Sequence, residues 1–274
     1  MKRKFKQVDA FTDRPFRGNP VAVVLDGEGL DTAEMQHIAR WTNLSETTFL
    51  LPSKVADYRL RIFSPSHELP FAGHPTIGSA HAALEAGIAK GRKIKMECGA
   101  GVLDLSVDDG VIYVRSPQVK LTPLDGMAKG VGIPLKPGAP VLRADVGPVW
   151  ITSEMTDATA LAALKPDMSA LAEWSLSIKA SGVTVFAASG ERDCTYHVRS
   201  FAPAHGIPED PVCGSGNISV AAYLRHFGRA SSAYVARQGM QLGRDGRVFM
   251  RVSADGIELG GRAVTCVEGT LHAG

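Results

Sequence analysis

The sequence predicts an α+β protein made of two pseudo-symmetric halves, each a curved, mostly antiparallel sheet around one central helix. Two internal matches and one paired feature carry this reading. Residues 58–70, YRLRIFSPSHELP, and residues 196–208, YHVRSFAPAHGIP, share Tyr, Arg, Phe, Pro, His and Pro at identical spacing. The match extends outward: MQHIARW at 35–41 resembles MSALAEW at 168–174, and TTFLL at 47–51 resembles TVFAA at 184–188. Each half also carries a run of small and apolar residues directly after a glycine-bearing loop. A single duplication accounts for this, whereas a solenoid would need more repeats of shorter period.

The elements follow in order. PVAVVL at 20–25 reads as a buried strand. DTAEMQHIARW opens with Asp31 and Glu34 in capping-box spacing, and Met35, Ile38 and Ala39 form the apolar stripe of the helix that follows. SETTFLL is the next strand. TIGSAHAALEAGI at 76–88 and its partner NISVAAYLRHF at 217–227 are apolar on most faces, the pattern of an enclosed helix. Strand pairs such as VLDLSVDDGVIYVRS close each half, with Asp109-Gly110 and Asp245-Gly246 as hairpin turns. The Gly- and Pro-rich stretch 126–140 is the expected boundary, giving domains 1–125 and 126–274.

A chain of 274 residues can bury a sizeable core, and 45% hydrophobic with 21% charged residues is a globular composition. Thirty basic against 28 acidic residues leave +2, too little to point to nucleic acid or a membrane as partner. The start MKRKFKQVDAF lacks the apolar run of a signal peptide, and no stretch approaches eighteen apolar residues, so a cytoplasmic location is expected. Cys98, Cys194, Cys213 and Cys266 are scattered without a CxxC pair, so neither a zinc site nor a disulfide framework is expected.

Candidate chemistry gathers at the two helix starts, Gly73-His74-Pro75 and Gly214-Ser215-Gly216. The first turn of a helix presents N–H groups and a partial positive charge, which suit a carboxylate or oxyanion. A bland role, glycines that only permit tight turns, competes with this for either loop alone. Glu46 has no counterpart: aligning Phe49 with Phe186 sets it opposite Val183. It also leads an apolar strand with no other charge in 42–51, so it is either a solvated strand-end acid or a carboxyl tuned for proton transfer. His67 and His205 are equivalent in the repeat and suit a shared turn role, whereas His74 is unmatched and fits a donor or proton carrier. Asp210 is either a helix-dipole partner or a group that binds a substrate amine.

Four segments together, DAFTDRPFRGNPVAVV, NLSETTFL, RIFSPSHELPFAGHPTIG and RSFAPAHGIPEDPVCGSGN, resemble the signatures of the phenazine-biosynthesis PhzF-like isomerase family. The resemblance implies the diaminopimelate epimerase-like fold with the active site between its two domains, a homodimer, and neither metal nor organic cofactor. It implies that Glu46 is the acid/base, that His74, Asp210 and Ser215 are the other polar active-site groups, and that Gly73 and Gly214 are the helix-start glycines. The implied reaction is a proton shift between carbons of a small carboxylate-bearing metabolite. The chain departs from the pattern at Cys213, usually threonine, and at Gly216-Asn217, usually Ala-His. Related epimerases carry a cysteine at the position of Cys213 and a second thiol where this chain has Gly73. A two-base epimerase using Glu46 and Cys213, and a catalytically silent metabolite-binding homologue, are the alternatives. Cys213 is therefore expected to line the pocket, and as a thiol at a helix start its pKa is expected to be lowered.

Overall fold

The protein is described from a computed structural model covering residues 1–128 and 130–274. It divides into two compact units, 1–115 with 260–274, and 116–259. In the first unit, β1 (Lys2–Ala10) and β2 (Asn19–Val24) lead to α1 (Thr32–Thr42), β3 (Thr47–Leu51), β4 (Tyr58–Phe63) and the short β5 (Glu68–Leu69). Then come α2 (Gly73–Glu85), β6 (Lys93–Cys98), β7 (Gly101–Asp108) and β8 (Val111–Arg115). The second unit runs through β9 (Lys120–Leu124), β10 (Val141–Asp145), β11 (Val149–Glu154), α3 (Ala158–Ala163) and α4 (Met168–Ser177). It continues with β12 (Gly182–Ala188), β13 (Tyr196–Ala202), β14 (Ile207–Asp210), α5 (Gly214–His226), β15 (Ala233–Gln238) and β16 (Gly246–Val252). β17 (Ile257–Gly261) spans the switch back, and β18 (Ala263–His272) ends in the first unit.

The duplication is written in the strand pairings. In the first unit β1–β2 is antiparallel, β2–β3 parallel, β3–β4 and β4–β5 antiparallel, β4–β6 parallel and β6–β7 antiparallel. The second unit repeats that series strand for strand with β10, β11, β12, β13, β14, β15 and β16. Even the flanking strand recurs, since β18 is antiparallel to β1 as β9 is to β10. Each sheet wraps its own helix: α2 packs on β1, β2, β3, β4 and β8, and α5 on β10, β11, β12 and β16. Both helices are small-residue sequences because almost every face of them is enclosed; Ala80, Ala82 and Ala83 on α2 and Val220 to Leu224 on α5 are buried.

The division differs from the expected one. The chain crosses at 115/116 and 259/260, and Val131, inside the expected boundary, is 2% exposed in the core of the second unit. The first unit keeps β18 because β1, β2 and β18 form one run of antiparallel pairs. Asp109-Gly110 is the expected hairpin turn, with both residues at positive φ (47° and 74°). Asp245-Gly246 is not a turn. Gly246 already pairs with Gln238, and the chain reverses through 239–245, where Gly239 and Gly243 take the positive φ values. Asp245 instead accepts from Arg237 and Arg247.

Strand parity corrects one alignment. Phe49 packs with Met35, Ile38 and Ala39 of α1, whereas Phe186 stacks edge-on against Tyr223 of α5, so the two phenylalanines face opposite sides of their sheets. The residues matching Phe49 are on the Val183–Val185–Ala187 face, which packs with Leu161 and Leu171 of α3 and α4. The pairings agree: Thr47 lies opposite Phe63, and Val183 opposite Phe201. A one-residue shift moves every side chain to the other face, and it makes Gly182, not Val183, the counterpart of Glu46.

Gly182 is required by packing, since a Cβ there would overlap the carbonyl oxygen of Phe201 and lie 3.0 Å from the Ala202 Cα, both backbone atoms. Gly182→Ala is therefore expected to destabilise the protein by about 1–3 kcal/mol. Gly269→Ala in β18, where a Cβ meets nothing within 4 Å, is expected to leave urea unfolding unchanged. Equal midpoints for the two variants would show that β12 has room to move.

Candidate active site

In the first unit, the chain places Glu46 by closing α1 and opening β3. The Asp31–Glu34 capping box starts α1, and Asn43 ends it in the left-handed region (φ 55°), its N–H donating to the Ala39 carbonyl. The Thr42 and Thr47 hydroxyls then meet at 2.6 Å across the 43–46 turn, and the Glu46 carbonyl accepts from Ala22 N–H at 3.3 Å. With its backbone held at both ends, Glu46 shares its face with Thr48, whose hydroxyl bonds Ser79 of α2 at 2.8 Å. Glu46 thereby turns toward the start of α2. Its Oε2 lies 3.1 Å from Nε2 of His74, the second residue of that helix.

That pair lies at ion-pair distance, and among the described residues the buried Glu46 Oε2 has no hydrogen-bond partner. The Glu46 side chain is 15% exposed and that of His74 9%. Burial pushes the Glu46 carboxyl up to about 7 from its ordinary 4.5, against a smaller opposing effect from the Ser45 side chain. Glu46 is thus not a solvated strand-end acid; burial holds its carboxyl well above the ordinary range. Gly73 is the first residue of α2, and the N-cap, Ala72, supplies no side-chain acceptor.

In the second unit, Cys213 is the N-cap of α5 and Gly214 its first residue. The Cys213 sulfur accepts from Gly216 N–H at 3.2 Å, and its carbonyl accepts from Asn217 Nδ2 at 2.9 Å. The expected lowered pKa does not occur. At 3% exposure, burial raises the thiol well above its ordinary range, and the Asp210 carboxylate adds to this; together they outweigh the hydrogen bonds from Ser215 and Gly216. Cys213 is a capping thiol that keeps its proton. Counting from the caps, its equivalent on α2 is Ala72 rather than Gly73, and neither carries sulfur.

Asp210 ends β14, and its Oδ1 accepts from Val212 N–H at 3.0 Å. Ser215 Oγ accepts from the Trp150 indole N–H at 2.9 Å and lies 3.5 Å from the Cys213 sulfur. Trp150 was invisible to motif reading because its role, holding a hydroxyl sixty-five residues away, has no local signature. Gln238 is a second such residue, donating to the Asp210 carbonyl at 3.1 Å and accepting from Asn217 at 2.9 Å. The Gly216 departure has a steric cause: a Cβ there would overlap Ser200 Oγ and sit 2.8 Å from Thr184 Oγ1. His67 and His205 are both exposed turn residues, as their equivalence suggested.

Comparison with known proteins identifies the family. Residues 8–269 match the family model PhzC-PhzF, phenazine biosynthesis-like protein. The chain is 39% identical to antisense-enhancing sequence 1 of Schizosaccharomyces pombe, over 97% of each chain. It is 32% identical to trans-2,3-dihydro-3-hydroxyanthranilate isomerase of Pseudomonas chlororaphis, over 96% of this chain and 97% of that one. The crystal structure of a Bacillus anthracis phenazine biosynthesis protein of the PhzF family superposes with a TM-score of 0.89 at 26% identity, covering 99% of each chain. The chain belongs to the PhzC-PhzF family of phenazine biosynthesis-like proteins and is one of its isomerases.

Proposed function

We propose that the protein moves a proton between two carbons of a small carboxylate-bearing metabolite, with Glu46 as the single acid and base. The observation that carries this reading is the buried Glu46 carboxyl, pushed up to about 7 and set 3.1 Å from His74 Nε2. A carboxyl with a pKa near the working pH both takes and returns a proton with little penalty. In the forward step the Glu46 carboxylate accepts a proton from one carbon, and the electrons left behind move into the substrate's conjugated system. The neutral carboxyl then returns that proton to a second carbon on the same face. Charge is conserved, and no cofactor is consumed.

The remaining residues have binding and positioning roles in this reading. His74 sets its Nε2 3.1 Å from the base. The first-turn N–H groups of a helix start bearing Gly73 or Gly214 suit the substrate carboxylate. Asp210 suits a substrate amine, and Ser215, oriented by Trp150, offers a hydroxyl. The substrate class is supported by the dihydro-hydroxyanthranilate isomerase relatives. Family resemblance and composition likewise support a cytoplasmic homodimer. A two-base epimerase is disfavoured because Cys213 would have to give up a proton that its burial retains.

Glu46→Gln keeps the shape but cannot accept a proton, so turnover is expected to fall by roughly 10²–10⁴-fold with ligand binding nearly unchanged. Activity within a few-fold of wild type would remove Glu46 from the mechanism. Because the ionised form is the base, wild-type kcat/KM is expected to fall as pH drops through about 7; a profile flat from pH 5 to 9 would contradict this. Cys213→Thr retains a capping oxygen and is expected to keep substantial activity, with same-face proton transfer in deuterated water. Inversion together with an inactive Cys213→Thr would establish the two-base epimerase instead.

A further inference from the structure

In the second unit, outside the residues assigned to proton transfer, a loop and a strand bring together a thiol, an imidazole and a carboxylate. The loop 189–195 joins β12 to β13 and is closed by Ser189 N–H donating to the Thr195 carbonyl at 3.0 Å. It sets Cys194 Sγ 3.2 Å from Glu191 Oε2, and His197 near the start of β13 puts Nε2 3.2 Å from Glu191 Oε1. The three donor atoms lie within 4.8 Å of one another. In sequence they read Glu191-x2-Cys194-x2-His197, a spacing that a search for paired cysteines passes over.

We propose that Glu191, Cys194 and His197 bind a divalent cation of the zinc class. A tetrahedral ion with bonds of about 2.0–2.3 Å holds its donor atoms roughly 3.3–3.8 Å apart, close to the separations present here. Mixed N, S and O donors suit zinc better than the oxygen-seeking magnesium or calcium ions. His197 Nε2 is buried and has no hydrogen-bond partner among the described residues, a cost that coordination would relieve. The cluster borders a cavity of about 450 Å³ formed by the 189–195 loop with Tyr234 and Val235, room for a fourth ligand. Tyr234 is 6% exposed, and its hydroxyl also has no hydrogen-bond partner among those residues.

The duplication supplies the control. His197 pairs with Arg237 across β13–β15, as Arg59 pairs with Glu97 across β4–β6. In the first unit that place holds the Arg59–Glu97 ion pair and Ser53, which donates to Glu97 at 2.6 Å. Thiol and imidazole occur there in the second unit alone, so they are not a requirement of the fold. Arg237 donates to both Glu191 oxygens at 2.9 Å and is itself held by Asp245 at 2.8 Å. A carboxylate has enough lone pairs to accept the guanidinium and a metal together, and such outer partners orient ligands. Asp193 is turned away to Arg247.

Without metal, burial pushes the Cys194 thiol up to about 11 and it donates to Glu191. Binding therefore exchanges the thiol proton for a metal–sulfur bond and releases one proton to solvent. The test titrates reduced, chelator-treated full-length protein with cobalt(II) chloride. One equivalent is expected to produce a thiolate-to-cobalt charge-transfer band that zinc displaces. Cys194→Ser should abolish the band, Cys266→Ser should retain it, and Glu191→Gln, a change at an exposed loop position, should weaken binding by roughly tenfold or more. Failure of the wild type to show the band, a band that survives Cys194→Ser, or undiminished affinity in Glu191→Gln would each overturn the assignment.

Discussion

Burial of one carboxyl, that of Glu46, is the constraint that the proposed chemistry of the first unit depends on. An isolated carboxylate removed from water is costly, and a protein meets that cost by pairing the charge or by letting the group keep its proton. Here burial dominates even with His74 Nε2 3.1 Å away, and the group is left poised at about 7. The surrounding structure exists to hold that poise. The left-handed cap at Asn43, the Thr42–Thr47 bond and the Ala22–Glu46 backbone bond fix where the side chain starts, and strand parity fixes where it points.

Poise has a thermodynamic consequence. The folded-state value is raised above the ordinary 4.5, so the folded protein holds a proton that the unfolded chain has lost in the window between 4.5 and about 7. The stabilisation from that proton is fully present below 4.5 and is lost as pH rises through about 7, on the order of 3 kcal/mol across the window. A destabilising buried carboxyl of this kind is what the proposed role of Glu46 in proton transfer would require.

The duplication shows how two copies of one fold diverged. The backbone pairings are the same, and both copies keep a bidentate Arg–Glu pair: Arg61 with Glu68, and Arg199 with Glu209, each guanidinium also lying over a phenylalanine ring. Side chains diverge at three matched places. Glu46 stands opposite a glycine that has no room for any side chain, the α2 cap Ala72 opposite the buried thiol of Cys213, and Arg59 with Glu97 opposite His197 with Arg237. Much of this was legible in the sequence. The Asp31–Glu34 cap, the Met35–Ile38–Ala39 stripe and both enclosed helices followed from local spacing, and Glu46 stood out as the acid of an apolar run. What failed were questions of register and long-range contact. The Glu46–Val183 match was one residue out because two phenylalanines on opposite faces look alike in one dimension. The Cys213 pKa is raised rather than lowered because burial outweighs the helix-start field. Trp150 and Gln238 act through contacts that only the fold creates.

The most direct measurement is the titration of Glu46 itself, read as the pH-dependent carboxyl signal in infrared or carbon-13 spectra that Glu46→Gln removes. The account predicts a midpoint near 7. A midpoint near the ordinary 4.5 would contradict it, because Glu46 would then be a solvated anion with no special readiness to return a proton to carbon.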